Sequence, residues 1–292
     1  MPSSNAQTTT KAPDWKIDIG REFIPERVCK IAGECPNMLG FLQHWVLAAT
    51  RFLSPPPPLE ACLHPPFHQS LGANQPFMDQ SLFIALNNSP KNPIVDVVMA
   101  TLSSWAAWWP LVVIAGACPL LFGGFRARAM VFSAVLAIGI NDGLVCRTLK
   151  SSVQRPRPNE VLSGVRSIDL AKATPRVMAI LLPLKTKTSS IEIPATTGKS
   201  FPSSHAANTF AMATVCFLFY RRWGWIAFLP AALVAFSRMY VGSHWPLDVL
   251  AGSFIGIGCA LVVVTLLRFL WEKFAPVFAP QLHSAHHDLL NP

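Results

Sequence analysis

Charged residues are spaced along this chain so that two stretches of 19 residues, Trp105 to Gly123 and Val249 to Leu267, contain none. At 1.5 Å per residue such a run covers about 28 Å, close to the thickness of a hydrocarbon core. Three shorter uncharged spans, Ala129–Asn141, Ala206–Tyr220 and Trp223–Ser237, are each bounded by charges. Together they predict five membrane helices. Met38–Leu53 is a weaker sixth candidate near the N-terminus, interrupted by Gln43, His44 and Arg51 and stopped by Pro55–Pro58. The short apolar runs Leu82–Leu86 and Ile94–Leu102 read as an interfacial helical hairpin leading into the first full span. The expected fold class is all-α, a polytopic membrane helical bundle. Its divisions are a polar segment 1–37, a stretch 38–104 holding the weak span, a Pro-rich linker and the interfacial helices, a helical core 105–271 with a long loop 159–200, and a tail 272–292.

Composition supports a membrane over water. The 292 residues are 51% apolar and 13% charged, whereas an ordinary soluble domain carries about 25% charged residues. That apolar content also excludes disorder. Helices buried in a large soluble protein are the competing reading. Against it, Trp105, Trp108, Trp109, Trp223, Trp225, Trp245 and Trp271 all stand near the ends of the proposed spans, where interfacial tryptophan collects. The net charge of +9 does not point to nucleic acid, because the basic residues punctuate uncharged stretches instead of forming one dense patch. Residues 1–37 lack the basic start and apolar core of a signal peptide. Cys29, Cys35 and Cys62 show no zinc-ligand spacing, and a disulfide among them stays open. His283, His286, His287 and Asp288 are read as a solvated tail in preference to a metal site.

The remaining charges collect. Lys150, Arg155 and Arg157 follow the second uncharged span, Ser203, Ser204 and His205 precede the third, Arg238 ends the fourth, and His244 and Asp248 open the fifth. In an up-and-down bundle all of these fall at one membrane face, where ionisable groups are functional candidates. His244 and Asp248 are four apart and share a helix face. A carboxylate on one ring nitrogen would fix the imidazole tautomer and leave the other nitrogen free to attack or accept a proton. Pro202-Ser203-Ser204-His205 reads as a helix start, with a serine as N-cap and freed N–H groups forming an anion site. Lys150, Arg157 and Arg238 supply three cations suited to phosphate oxygens. Each feature alone has a plain structural use as a cap or an interfacial charge; together they suit phosphoryl transfer without a metal or other cofactor.

Three spacings, Lys150-x6-Arg157-Pro158, Pro202-Ser203-Ser204-His205 and Ser237-Arg238-x5-His244-x3-Asp248, resemble the signature motifs of the type 2 phosphatidic acid phosphatase superfamily. The resemblance runs from about Gln80 to Trp271. It implies that His244 attacks phosphorus to give a phosphohistidine, that Asp248 orients it, and that His205 protonates the leaving oxygen and then activates water. It implies phosphate binding by Lys150, Arg157, Ser203, Arg238 and the Ser204 N–H. Ser204 departs from the family's usual glycine, which is harmless if its φ is negative. Arg155 falls between motif positions and is read as a supporting or headgroup-binding charge.

The resemblance further implies a membrane lipid phosphatase, with a lipid phosphate as partner and the membrane as its setting. Soluble vanadium haloperoxidases of the same superfamily do not share such uncharged spans. A phosphotransferase passing the phosphate to another acceptor is the alternative. Undecaprenyl diphosphate, phosphatidic acid, phosphatidylglycerol phosphate and lipid A are the family's substrate candidates. Loop 159–200 carries Arg166, Lys172, Arg176, Lys185, Lys187 and Lys199 against Glu160, Asp169 and Glu192. This excess serves either a polyanionic headgroup or anionic lipid, and the apolar run Val177–Leu184 is expected to enter the interface beside it. The family site faces outward from the inner cell membrane, and Arg126, Arg128, Arg221 and Arg222 in the loops opposite agree with the positive-inside rule.

Overall fold

A computed structural model describes residues 77–88, 92–174 and 176–290. The polar segment 1–37, the Met38–Leu53 span and Cys29, Cys35 and Cys62 lie outside them. Helix α1 (Phe77–Asn87) and helix α2 (Pro93–Ser103) lead into α3 (Trp105–Phe122). Asn92 caps α2, its side chain accepting from the Ile94 N–H at 2.9 Å, with Pro93 at the first helical position. Helix α4 (Phe125–Ile140) passes through a π-helical turn, Asn141–Cys146, into α5 (Arg147–Val153) and the short α6 (Pro158–Val161). Strands β1 (Arg166–Asp169) and β2 (Lys185–Thr188) flank a 3₁₀ turn at Arg176–Leu181. Then come α7 (Ser204–Phe219), α8 (Arg221–Gly224), a 3₁₀ turn at Trp225–Ala227, α9 (Phe228–Tyr240), α10 (Pro246–Phe278) and α11 (Pro280–Ala285).

Among the described residues, three helical segments are long and apolar enough to cross a membrane: Trp105–Phe122, Phe125–Val161 and Pro246–Phe278. They correspond to three of the five expected spans. Helix α7, of 16 residues, and α9, of 13, fall short of the usual length of about 20. The outer faces remain apolar: Leu121, Phe122, Phe132, Val135, Val262 and Phe269 are all more than half exposed. Such a surface would be unstable in water and is matched by lipid.

The architecture is not purely helical. Within loop 159–200, β1 and β2 pair antiparallel, Arg166 opposite Thr188 and Asp169 opposite Lys185. Sequence inspection missed this ribbon because only Ile168 on its strands is both buried and apolar, with Leu170 just past the end of β1, too short an alternation to register as a strand. They pack with Tyr240, Val241 and Ala179. Asn87 fastens the ribbon to the bundle: its Nδ2 donates to the carbonyls of Arg166 (2.9 Å) and Tyr240 (3.1 Å), and its Oδ1 accepts from the Arg166 N–H at 2.9 Å.

Helices α7 and α10 meet backbone to backbone. A Cβ added at Gly256 would lie 2.0 Å from the Ala207 carbonyl oxygen, and one at Gly252 would lie 2.6 Å from that of Ser203. Ala211 and Ala260 continue the small-residue contact into a core with Ala134, Ala137, Val215 and Phe219, the packing used where helices associate in lipid. At the far end from the motif residues, the Arg126 guanidinium donates to the Phe219 carbonyl and lies 4.7 Å from the Tyr220 ring centroid.

The C-terminal segment is not a solvated tail. Asp288 accepts from Arg268 at 3.0 Å, His286 stacks on Phe125 with centroids 4.4 Å apart, and Leu289 is buried. Apolar residues between the histidines and a carboxylate matched to Arg268 let this segment fold back on α4 and α10.

Candidate active site

Lys150 sits one turn beyond the π-helical turn, a distortion frequent at functional sites because it re-aims the residues that follow. Asn141 within that turn donates to Asn208 Oδ1 at 2.6 Å, tying it to α7. Lys150 Nζ then donates to Ser204 Oγ at 2.6 Å, so the first and second motifs meet directly. Ser204 stands at the start of α7 without positive φ; among the described non-glycine residues only Gln154 has one. The serine in place of the family's usual glycine therefore needs no left-handed backbone there.

Ser203 occupies the N-cap position of α7, yet its hydroxyl makes no capping bond. This corrects the expectation that a serine side chain caps the helix. The buried Ser203 Oγ has no hydrogen-bond partner at all, and neither does the buried Nε of Arg238. Unsatisfied buried polar atoms are costly and call for an explanation. Arg238 is anchored on its other side, NH1 donating to the Ser103 carbonyl at 3.0 Å and to the Ser103 hydroxyl. Arg157 begins α6, its N–H donating to Glu160 Oε2 at 2.8 Å. His205 lies within electrostatic reach of Arg238, His244, Lys150 and Arg157. All the charged residues singled out by the three motifs are thus brought to one end of the bundle.

His244 is 3% exposed and sits in the turn between α9 and α10. Burial holds its imidazole at about 4, below the ordinary value of 6.5; Arg238 and Arg157 push in the same direction and Asp248 opposes them. The ring is therefore neutral near pH 7, the state a nitrogen nucleophile needs. The expected direct bond to Asp248 is absent: Nδ1 stands 3.8 Å from Oδ2, beyond hydrogen-bond range.

Asp248 is fully buried and well supplied with donors. Its Oδ2 accepts from the Trp245 N–H at 3.1 Å and from the Ser200 hydroxyl, and its Oδ1 accepts from Arg155 at 2.6 Å. Arg155 also pairs with Asp79 at 2.5 Å and lies 5.3 Å from the Trp245 ring centroid. Asp79 in turn accepts from the Leu247 N–H at 2.9 Å, in the first turn of α10. Arg155 is thereby a support for Asp248 and not a headgroup ligand. The backbone completes the assembly, with the Ser203 N–H donating to the Asp248 carbonyl at 3.0 Å and the Ser200 N–H to the Arg155 carbonyl at 2.8 Å.

Sequence reading missed Ser200 and Asp79. Ser200 stands two residues before Pro202, outside any spacing used, while Asp79 is an acid within the otherwise apolar α1. A buried-to-be carboxylate in such a helix is the one signal that could have flagged it. The loop cations divide by use. Arg166 pairs with Asp96 and lies over Tyr240, so it holds the ribbon in place. Lys172, Lys185 and Lys187 line a pocket of about 300 Å³ with Ser167 and Asp169. In the intervening turn Ala179 is buried, whereas Leu181 is 82% exposed.

Residues 127–272 match the PAP2 superfamily, and the chain belongs to it. It is 41% identical over 99 residues to an undecaprenyl-diphosphatase of Sulfolobus acidocaldarius, a match covering 33% of this chain and 48% of that protein. The chain therefore spans less than half the length of that relative. It is 28% identical over 205 residues to the undecaprenyl-diphosphatase BcrC of Bacillus subtilis, covering 70% of this chain and 87% of the other. The crystal structure of Aquifex aeolicus LpxE aligns with a TM-score of 0.44 at 28% identity, over 64% of this chain and 95% of that one. The membrane-length helices and the family together make this a multi-pass membrane protein.

Proposed function

We propose that this chain is an integral membrane phosphatase that removes the terminal phosphate of a lipid phosphate or diphosphate through a phosphohistidine on His244. The observation that carries the reading is the pair of orphaned buried donors, Ser203 Oγ and Arg238 Nε, beside a buried neutral imidazole and further cations. A tetrahedral phosphate would satisfy both donors and match the helix start at Ser204. Lys150 and Arg157 would share the remaining oxygens and stabilise charge on the equatorial oxygens in the transition state.

In this mechanism the Nε2 lone pair of His244 forms a bond to phosphorus as the bond from phosphorus to the lipid oxygen breaks. The bonding pair leaves with that oxygen, which takes a proton from the imidazolium of His205, a cation that the charge of the bound phosphate favours. A water then gives a proton to His205 and attacks phosphorus, and the N–P pair returns to Nε2. No step needs a metal ion or other cofactor. The names of the two relatives favour a long-chain prenyl diphosphate over the other candidates. The proposed topology keeps five spans, with α7 and the helical run Arg221–Tyr240 crossing beside the three longer segments, and the Met38–Leu53 candidate as a sixth. The active site then faces outward from the inner membrane, with Arg126, Arg128, Arg221 and Arg222 inside.

Phosphate release by the purified protein in detergent tests this reading. The assay uses undecaprenyl diphosphate, phosphatidic acid, phosphatidylglycerol phosphate and lipid A, with and without chelator and a sugar acceptor. Chelator-insensitive release from one lipid, lost in His244→Ala, is expected. Transfer to the acceptor in place of release would make the protein a phosphotransferase. Equal release by His244→Ala would overturn the nucleophile.

A further inference from the structure

Asp248 is four residues from His244 but does not reach its ring, and the space between them is occupied by one hydroxyl. Ser200 Oγ lies 3.4 Å from His244 Nδ1 and donates its hydrogen to Asp248 Oδ2. Ser200, His244 and Asp248 are all buried, so no bulk water competes for these groups. We propose that Ser200 is a positioning residue that relays the charge of Asp248 to the nucleophile, giving a carboxylate–hydroxyl–imidazole chain. The proposal rests on the reading of His244 as the nucleophile.

Counting protons fixes the direction of the chain. A serine hydroxyl has one hydrogen and two lone pairs. If that hydrogen pointed to Nδ1, the hydroxyl oxygen would face a carboxylate oxygen with no proton between them, a repulsive contact. With the hydrogen on the Asp248 side, a lone pair of Ser200 accepts from Nδ1–H. The other ring nitrogen, Nε2, is then left unprotonated and able to attack. When Nε2 bonds to phosphorus the ring becomes cationic, and the Asp248 charge acts on it through the polarised hydroxyl. Other charges reaching His244 are Arg238 and Arg157, with His205 neutral or protonated opposite. The two guanidiniums have no acceptor to offer Nδ1–H, and the Asp248 carboxylate is 3.8 Å away.

The arrangement is built rather than incidental. The Ser200 N–H is fixed to the Arg155 carbonyl, and Arg155 itself holds Asp248. Gly198, two residues earlier, donates to the Gln154 carbonyl at 2.8 Å. A Cβ at that glycine would lie 2.6 Å from Pro156 Cα. The end of the loop is therefore pressed against the first motif, and Ser200 is delivered to the gap from outside both the turn that carries His244 and the helix that carries Asp248.

The test is a double-mutant cycle with full-length protein in detergent, using farnesyl diphosphate labelled in its terminal phosphate. Ser200→Ala, Ser200→Cys, Asp248→Asn and Ser200→Ala/Asp248→Asn are compared under single-turnover and steady-state conditions. Loss of a charge-assisted hydrogen bond predicts a kcat about 10- to 100-fold lower in both Ser200 variants. KM should stay within about twofold, because phosphate binding is untouched. In the Asp248→Asn background, removing Ser200 should cost less than about threefold more, since a relay with no charge behind it has little left to transmit. Penalties that multiply in the double variant, or kcat within about threefold of wild type in the single ones, would overturn the relay. Ser200→Cys, close to serine in volume, carries the cycle together with Ser200→Cys/Asp248→Asn if Ser200→Ala does not fold. His244→Ala separates the two levels. If it still releases phosphate, the nucleophile reading fails; if it is inactive while the Ser200 variants are unaffected, only the relay fails.

Discussion

The N–H of Ser203 donates to the carbonyl of Asp248 at 3.0 Å, joining the start of α7 to the first turn of α10. That single bond places the proposed phosphate-binding end of one motif against the carboxylate of another. It is possible only because Gly252 and Gly256 let the two helix backbones touch.

Gly256→Val should accordingly lower stability by about 3 kcal/mol or prevent folding, since the new side chain would drive into the Ala207 carbonyl. Gly258→Ala, where nothing lies within 4 Å of the added Cβ, should leave both stability and activity unchanged. Thermal unfolding of the two variants in one detergent checks the contrast.

Asp79→Asn should reduce phosphate release about tenfold without changing KM. The substitution takes one of two carboxylates from Arg155 and weakens its hold on Asp248. Arg155→Lys should do at least as much, because an ammonium cannot span both acids in the same geometry. Steady-state kinetics of both variants measures it.

Ser204→Gly, which restores the residue usual in the superfamily, should keep activity within about threefold, since Lys150 loses only a neutral acceptor. Lys150→Met removes a phosphate cation and should cost about 100-fold or more in kcat.

The pH dependence follows from His244. Its folded value of about 4 lies below the ordinary 6.5, so the acid limb of kcat/KM that belongs to the nucleophile should fall near 4. Any limb from the substrate's own phosphate titrates separately. Stability carries the opposite cost. As pH falls from 6.5 towards 4 the unfolded chain takes up a proton that the folded chain refuses, so this residue destabilises the protein through that window and no further below it. Thermal midpoints from pH 7 to 4 should fall less in His244→Gln than in wild type.

Much of the proposed site was legible because the phosphate chemistry proposed for it demands cations and imidazoles at fixed spacings. Lys150, Arg157, Ser203, Ser204, His205, Arg238, His244 and Asp248 could all be named from the chain, and the charged ones gather at one end of the bundle. The path from Asp248 to His244 was not legible. An i to i+4 spacing promises a shared face only within one helix, and α10 begins at Pro246, so His244 stands in the turn before it and off that face; the residue filling the gap arrives from a loop. Arg155 shows the same limit, since its partner Asp79 is 76 positions away. The ribbon in loop 159–200 escaped because its buried apolar positions amount to Ile168, with Leu170 just beyond the strand. The C-terminal histidines were misjudged because composition alone does not reveal that Asp288 has Arg268 to meet.

Covalent capture of the labelled phosphate is the most direct test of the central claim. Wild-type protein mixed with terminally labelled undecaprenyl diphosphate, and quenched in base within one turnover, should carry acid-labile, base-stable label on His244. The label should be absent in His244→Ala. Phosphate released at the wild-type rate with no protein-bound label at any time, or label that persists in His244→Ala, would contradict the mechanism.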